Sequence, residues 1–111
     1  MSAISTATIA LLAMTTPALA ATDVRCAATV RGYQPPTGMV GDRTIALEIA
    51  RTYLSAIYGA EQIAREMPLK ASVREGVWHV EGVLKPGFKG GVAEIDICQS
   101  TGHVLSVRHG K

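Results

Sequence analysis

The segment from residue 77 to residue 97 carries the clearest alternation of apolar and polar side chains in the chain. The apolar face of its first arm consists of Trp78, Val80, Gly82 and Leu84. The apolar face of its second arm consists of Ala93, Ile95 and Ile97. A period of two in both arms, separated by a loop rich in glycine over residues 85–91, predicts a β-hairpin of two half-buried strands. One face of this hairpin must therefore pack against another layer.

Residues 42–58 follow the different period of an amphipathic α-helix, because their apolar side chains recur at spacings of three and four. The predicted apolar stripe consists of Ile45, Ala46, Ile49, Ala50, Tyr53, Leu54 and Ile57. Asp42 is placed to cap the first free N–H groups, and Gly59 is placed to end the helix in a left-handed conformation. A second, shorter helix is expected over residues 60–66, and Pro68 stops it.

Two further strands complete the pattern, over residues 69–74 and 103–108. A tight turn at residues 75–76 joins the first of them to the tryptophan strand, so the four strands follow one another as an antiparallel meander. A single sheet with one apolar face must be covered, and the long helix has the matching stripe. We therefore predict an α+β domain over residues 42–111, with an N-terminal amphipathic helix and a short helix packed on a curved four-stranded antiparallel sheet.

The first 41 residues differ in composition from this domain. Residues 1–20 contain no charged side chain and end in a small-x-small pattern before Ala21, which is typical of a secretory signal peptide even though Lys and Arg are absent from its start. Residues 21–41 form a lead rich in proline and glycine, which we expect to be flexible, and residues 24–30 allow a short edge strand. We expect an exported protein, periplasmic or secreted, without a stable membrane anchor.

Charge and cysteine content narrow the classes of partner. The chain has 11 Lys and Arg against 9 Asp and Glu, a net charge of +2, and its cationic residues are scattered, so nucleic-acid binding is not expected.

Cys26 and Cys98 are an even count in a chain expected to be exported. A disulfide is the leading interpretation. Two unpaired small apolar side chains are the alternative.

Ionisable side chains crowd the polar face of the hairpin, at His79, Glu81, Glu94 and Asp96. An imidazole and carboxylates could hold a metal or carry out acid–base chemistry if the strand register aligned them. A solvated face with cross-strand charge pairs is favoured, because no metal-ligand spacing and no nucleophile accompanies them. His103 and His109 are predicted to be surface residues. We predict no catalytic, cofactor or metal site.

An ordered set of motifs runs through the predicted domain: Tyr58-Gly59, Pro68, Trp78-x-Val80-x-Gly82, Gly90-Gly91 and Gly102. This order resembles the nuclear transport factor 2 (NTF2) fold immunity proteins, small bacterial proteins associated with polymorphic toxin systems. The resemblance covers residues 42–111. It implies structural roles for the motif residues, a cone-like sheet wrapped on helices, and a protein that binds and neutralises a toxin without catalysis or cofactor. The export pattern and Cys26 depart from the family and allow other roles in the cell envelope.

Three functions of different classes remain open from the sequence. The first is the immunity-type protein that occludes a toxin. The second is an exported PepSY-like or cystatin-like inhibitor or envelope binding module, because a helix followed by a meander with a turn such as that at residues 101–105 also occurs in those proteins. The third, less favoured, is a small enzyme that uses a pocket in the cone, since fold alone does not establish activity.

Overall fold

A computed structural model describes residues 3–12, 24–27 and 30–110. After a 3-10 helix at Val24–Cys26, the elements are α1 (Arg43–Tyr58), α2 (Ala60–Arg65), β1 (Lys70–Arg74), β2 (Val77–Glu81), β3 (Ala93–Cys98) and β4 (Val104–His109). The strands form one antiparallel sheet in the order β1-β2-β3-β4. The prediction of an α+β fold with two helices and a four-stranded antiparallel meander is therefore confirmed.

The two helices begin and end where local chemistry requires it. The Asp42 carboxylate accepts a hydrogen bond from the N–H of Ile45 at 3.0 Å, which satisfies one of the free donors of the first turn. Gly59 ends α1 and donates its N–H to the carbonyl of Ser55 at 2.9 Å. Its φ of +94° is positive as predicted, but its ψ of 141° is extended rather than left-handed helical. This conformation turns the chain, so that α2 starts at the next residue.

The apolar stripe predicted for α1 is only partly buried. Ala46, Ala50 and Leu54 form the row directed at the sheet and are fully buried. The neighbouring positions Ile45, Tyr53 and Ile57 are exposed. Ile49, also in the predicted stripe, packs partly buried beside this row. The sheet therefore covers one side of the stripe and leaves the other side to solvent.

Trp78 lies in the core beneath this helix and is 5% exposed. Its indole N–H donates to the carbonyl of Val40 at 2.7 Å, because a buried N–H needs an acceptor. Val40 is itself buried, and its own N–H donates to the carbonyl of Gln99 at 2.9 Å. The last residues of the segment that the sequence assigned to a flexible lead are therefore fixed in the core.

The tryptophan strand ends earlier than predicted. β1 and β2 are joined at Glu75 and Gly76, which have φ values of +52° and +77°, as the mirror-image hairpin turns require. At the other end of β2, the N–H of Val83 donates to the carbonyl of Glu66 at 2.8 Å instead of to the neighbouring strand. Leu84 is consequently 45% exposed, and the prediction that it belongs to the core is wrong.

Cys26 and Cys98 form a disulfide with their Cα atoms 5.5 Å apart, as predicted. The bond joins positions separated by 72 in sequence, and in the chain-entropy model a loop of that size contributes about 4 kcal/mol. The described part of the expected edge strand is instead the 3-10 helix. Cys98 already pairs with Val77 on one side and donates its N–H to the carbonyl of His103 at 2.8 Å on the other, so no edge is free for another strand there.

The predicted cleavage site before Ala21 lies outside the described residues. Within the part of the chain that the structure describes, residues 3–12 contain no helix or strand, and no helix is long and apolar enough to cross a membrane.

Candidate functional site

The face of the sheet opposite α1 carries two rows of polar side chains, which we call the open face. Strand pairing aligns four residues in the first row: Ser72, His79, Asp96 and Ser106. It aligns four charged residues in the second row: Lys70, Glu81, Glu94 and Arg108. Because paired residues of an antiparallel sheet point to the same side, the register brings together the four ionisable residues that the sequence singled out.

His79 lies at the centre of the open face and is held by Asp96. Its Nδ1 is 2.6 Å from Asp96 Oδ1, and the other carboxylate oxygen of Asp96 accepts the Ser106 hydroxyl at 2.9 Å. A carboxylate only accepts, so Nδ1 carries the proton. The opposite ring nitrogen, Nε2, faces Glu81 Oε2 at 3.6 Å and Glu94 Oε1 at 3.4 Å.

The environment raises the pKa of His79 and lowers the pKa of Asp96. Burial alone would lower the pKa of His79, but the hydrogen bond to Asp96 and the negative charges of Asp96, Glu81 and Glu94 raise it above its usual value. Burial alone would raise the pKa of Asp96, but the bonds from His79 and Ser106 and the nearby positive charges lower it. The open face thus favours positive charge on the imidazole and negative charge on its partner.

Arg108 closes the outer end of the charged row. Its Nε donates to Glu94 Oε2 at 2.9 Å, and its Nη1 lies 3.6 Å from Asp96 Oδ2. The Arg108 side chain is 52% exposed, so solvent screens these ion pairs and they contribute little to stability.

The row Ser72–His79–Asp96 has the residue types of a hydrolytic triad but not its geometry. The imidazole Nε2 points to the carboxylates of Glu81 and Glu94, and within the described residues no hydrogen bond joins Ser72 to His79. A nucleophile must bond to its base. The arrangement therefore offers charge and hydrogen bonding rather than an activated hydroxyl.

A second ionisable cluster lies at the end of the sheet, where Glu66 is 4% exposed. Its Oε1 accepts the N–H of Ala93 at 2.6 Å, and its Oε2 accepts Gln62 at 3.0 Å and His109 Nε2 at 3.2 Å. His109 Nδ1 in turn lies 2.8 Å from the carbonyl oxygen of Gly110. Both partners of His109 are acceptors, so its ring donates from both nitrogens and is cationic.

The pKa shifts of this second cluster follow from the same contacts. Burial alone would raise the pKa of Glu66, but the bonds from Ala93, Gln62 and His109 lower it below its usual value. The bond to Gly110 raises the pKa of His109, burial opposes it, and Glu66 adds to the rise. Tyr58 packs edge-on against the His109 ring, with the ring centroids 5.1 Å apart. The pair is thereby held as an ion pair.

A cleft of about 220 Å³ opens beside this pair. Its wall consists of Gln62, Arg65, Glu66, Val83, Leu84, Lys85, Phe88, Lys89, Gly90, Gly91, His109 and Gly110. The sequence did not identify Glu66, and it predicted His109 as a surface residue, which is wrong because the ring is half-buried. Glu66 bonds to groups 27 and 43 positions away, and no local pattern signals such contacts.

The motif residues occupy core, turn and crossing positions around these clusters. Gly82 packs against Glu66, and a Cβ there would lie 2.8 Å from the Cβ of Glu66. Gly91 crosses the backbone of Gly110 so closely that a side chain would overlap it. The other motif residues are Tyr58 against His109, Gly59 between the helices, Pro68 after a cis peptide bond, Trp78 and Val80 in the core, and Gly90 and Gly102 with positive φ.

Comparison with known proteins gives a family match and one curated relative. Residues 45–111 match a family model described as NTF2 fold immunity protein. The chain is also 34% identical over 74 residues to the "Uncharacterized protein YhhH" of Escherichia coli (strain K12), which covers 66% of this chain and 58% of that protein. The chain thus spans less than two thirds of this relative's length. No solved structure matches the chain.

Proposed function

Because the chain belongs to the NTF2 fold immunity proteins, we propose that it is a non-catalytic protein that binds a toxin and neutralises it by occupying its surface. The observation that carries the proposal is the open face, on which two rows of polar side chains lie on rigid strands and remain accessible to solvent. Side chains that are already ordered lose little entropy when a partner binds.

The charge order of the open face supports a protein partner with its own charge pattern. Two carboxylates, Glu81 and Glu94, lie between the cationic side chains of Lys70 and Arg108 along one row. Alternating blocks of opposite sign select a partner by complementarity and penalise a shifted register. Such a face fits a folded toxin domain better than a uniform polyanion.

The disulfide and the leader pattern support an encounter outside the cytoplasm. Disulfides persist in oxidising compartments, and the bond from Cys26 to Cys98 ties the segment that follows the predicted leader to the end of β3. We propose that the protein is exported to the periplasm or secreted, and that it meets its toxin there. The family match favours this function over the PepSY-like and cystatin-like inhibitors and over a small enzyme.

The test is capture of the partner by the full chain produced in its own cells, followed by mass spectrometry. A bait with Glu81→Lys and Glu94→Lys reverses the centre of the open face, while the control Glu48→Lys reverses an exposed charge on α1. We expect the wild type and the control to capture the same protein and the double variant to lose it. Circular dichroism checks that all three are folded.

The captured protein must also be harmful when produced alone in the compartment of the chain, and harmless when the two are produced together. Equal capture by the double variant would reject the open face as the contact surface. A captured protein without toxicity would reject the immunity function.

A further inference from the structure

We propose that the open face contains a binding site for one divalent transition-metal ion of the zinc class, with His79 Nε2, Glu81 Oε2 and Glu94 Oε1 as its ligands. The three atoms lie within 4.8 Å of one another. An imidazole nitrogen with carboxylate oxygens is a donor set that zinc accepts in proteins. This site does not depend on the toxin-binding proposal and would remain if no toxin were found.

The separations between the ligand atoms fit a metal polyhedron better than hydrogen bonds. His79 Nε2 lies 3.6 Å from Glu81 Oε2 and 3.4 Å from Glu94 Oε1, whereas N–H···O bonds are about 2.7–3.2 Å long. Zinc bonds of about 2.0–2.1 Å place neighbouring ligands of a tetrahedron about 3.3–3.4 Å apart. The imidazole nitrogen is therefore spaced from each carboxylate as two ligands of one ion would be, and the two carboxylate oxygens lie within 4.8 Å of each other.

The histidine distinguishes this group from an ordinary cluster of surface carboxylates. Its Nδ1 is held by Asp96 at 2.6 Å, and Asp96 is held in turn by the Ser106 hydroxyl at 2.9 Å. This chain fixes the ring so that Nε2 points at both glutamates. Metal-bound histidines characteristically donate their other nitrogen to a carboxylate, which orients the ring and strengthens it as a ligand.

Charges of both signs surround the site. The carboxylates of Glu81, Glu94 and Asp96 lie around His79, Lys70 pairs with Glu81 in the strand register, and Arg108 contacts Glu94. A metal ion would therefore take the place of the proton on His79 Nε2, since an imidazole binds a metal only when that nitrogen is deprotonated. Arg108 makes its short contact, 2.9 Å, with Glu94 Oε2 and only a long one, 3.5 Å, with Oε1. The oxygen that faces His79 thus retains the capacity to bind a metal.

The ligands come from directly opposed positions of β2 and β3, where Glu81 pairs with Glu94 and His79 pairs with Asp96. Rigid strands hold such a site closer to its productive geometry than loops do. The side chains remain partly exposed, so a fourth position of the ion faces solvent and can take water or a ligating side chain of a bound protein.

The test is isothermal titration calorimetry of ZnCl₂ into the full chain, purified without a polyhistidine tag. Reductant is left out so that Cys26 and Cys98 stay in the disulfide and offer no thiolate to the metal. We expect saturable binding of one ion per chain.

The variants His79→Gln and Glu81→Gln should each lower the affinity for zinc at least about tenfold. Loss of a residue that only supports a metal ligand already lowers the affinity by about this much. Matched controls are His103→Gln and Glu48→Gln, which make the same changes outside the site.

Unchanged binding in both controls, with loss in both ligand variants, supports the site. Absence of saturable binding to the wild type, or equal binding by His79→Gln and the wild type, overturns it. Thermal unfolding in EDTA checks that each variant is folded. If His79→Gln proves unfolded, Glu81→Gln decides the outcome, because the Glu81 side chain is 46% exposed and is not part of the core.

Titration with Co²⁺ gives a second measurement that reports coordination geometry. A tetrahedral site with one imidazole and two carboxylates should produce visible absorption bands that saturate at the same stoichiometry as zinc. Bands that persist in His79→Gln would place the ion elsewhere and reject the assignment.

Discussion

Two histidine–carboxylate pairs with the same chemistry lie in different settings of this fold. At the end of the sheet, Glu66 uses both oxygens on Ala93, Gln62 and His109, and both nitrogens of His109 have acceptors. On the open face, Asp96 holds one nitrogen of His79, while the other nitrogen has only the two more distant glutamates.

One of these pairs stabilises the fold, and the other is able to bind a partner. A buried polar group whose hydrogen bonds are all made within the protein stabilises one structure, and it has no free donor or acceptor for a ligand. A partly exposed group with an unsaturated nitrogen keeps its capacity for an external ligand. The Glu66 pair is therefore structural, and the His79 group is the candidate for binding.

The greatest loss of stability should follow from breaking the pair of Glu66 and His109, which we call the closed pair. Glu66→Ala should destabilise the protein by about 3 kcal/mol, because it leaves the buried N–H of Ala93 without an acceptor and removes the partner of His109. Asp96→Ala should cost about 1 kcal/mol, since solvent reaches its partners. Denaturant unfolding at neutral pH measures both, and equal losses would contradict the assignment of the two pairs to different roles.

The next effect concerns the glycine that makes room for the closed pair. Gly82→Ala should destabilise the protein by about 2 kcal/mol, because the new Cβ would lie 2.8 Å from both Cβ and Oε1 of Glu66. The same substitution in a Glu66→Ala background should cost clearly less, since the opposing side chain is gone. A double-mutant cycle measures this coupling, and strictly additive losses would show that the contact does not limit the packing.

A smaller effect is the pH dependence of the closed pair. The raised pKa of His109 gives stability that is present below its unfolded pKa and lost as the pH rises through its folded pKa. The lowered pKa of Glu66 gives stability that is lost as the pH falls through its folded value. Wild type should therefore exceed His109→Gln in unfolding free energy more at about pH 6 than at about pH 9.

Other charges near the closed pair set the control for this experiment. Arg65, Lys85 and Lys89 line the same cleft, and these residues and His79 are common to both proteins, so their contributions cancel in the difference. His103→Gln changes a histidine in the turn before β4 and should leave the pH profile as in the wild type. A difference between wild type and His109→Gln that grows with pH would contradict the ion pair.

The smallest effect is expected at the rim of the open face. Arg108→Gln should change the unfolding free energy by about 0.5 kcal/mol or less, because its bonds to Glu94 are exposed to solvent and screened. Unfolding at low and high salt measures it. A loss above about 1 kcal/mol would show that the open face is itself part of the structural framework.

Local signals of the sequence predicted the elements well. The cap at Asp42, the glycine after α1 and the two-residue turn at residues 75–76 each depend on neighbours a few positions away. The failures occurred where a distant group decided the outcome. Leu84 leaves the core because Val83 bonds to Glu66, and Val40 enters it because Trp78 needs an acceptor.

The sequence predicted which residues share the polar face of the candidate site, but not how they pair across the strands. The alternation of β2 and β3 placed His79, Glu81, Glu94 and Asp96 on one polar face, but the sequence favoured ordinary charge pairs there. Register, which the sequence did not specify, set His79 opposite Asp96 and Glu81 opposite Glu94. The closed pair was missed entirely, because α2 and the end of β4 meet only after the sheet has formed.

The α+β class, the order of helices and strands, and the resemblance to the NTF2 fold immunity proteins were all readable from the sequence. They follow from periodicity, capping and motif order, which are written in short stretches of chain. The pairing of Cys26 with Cys98 was left open by the sequence, and the fold brings the two positions together. The orientation of His79, with Nε2 facing the two glutamates, and the burial of Glu66 are visible only in the folded chain. Those outcomes depend on strand register and on contacts between distant segments, since a shift of one residue in register would turn the polar rows to the other face.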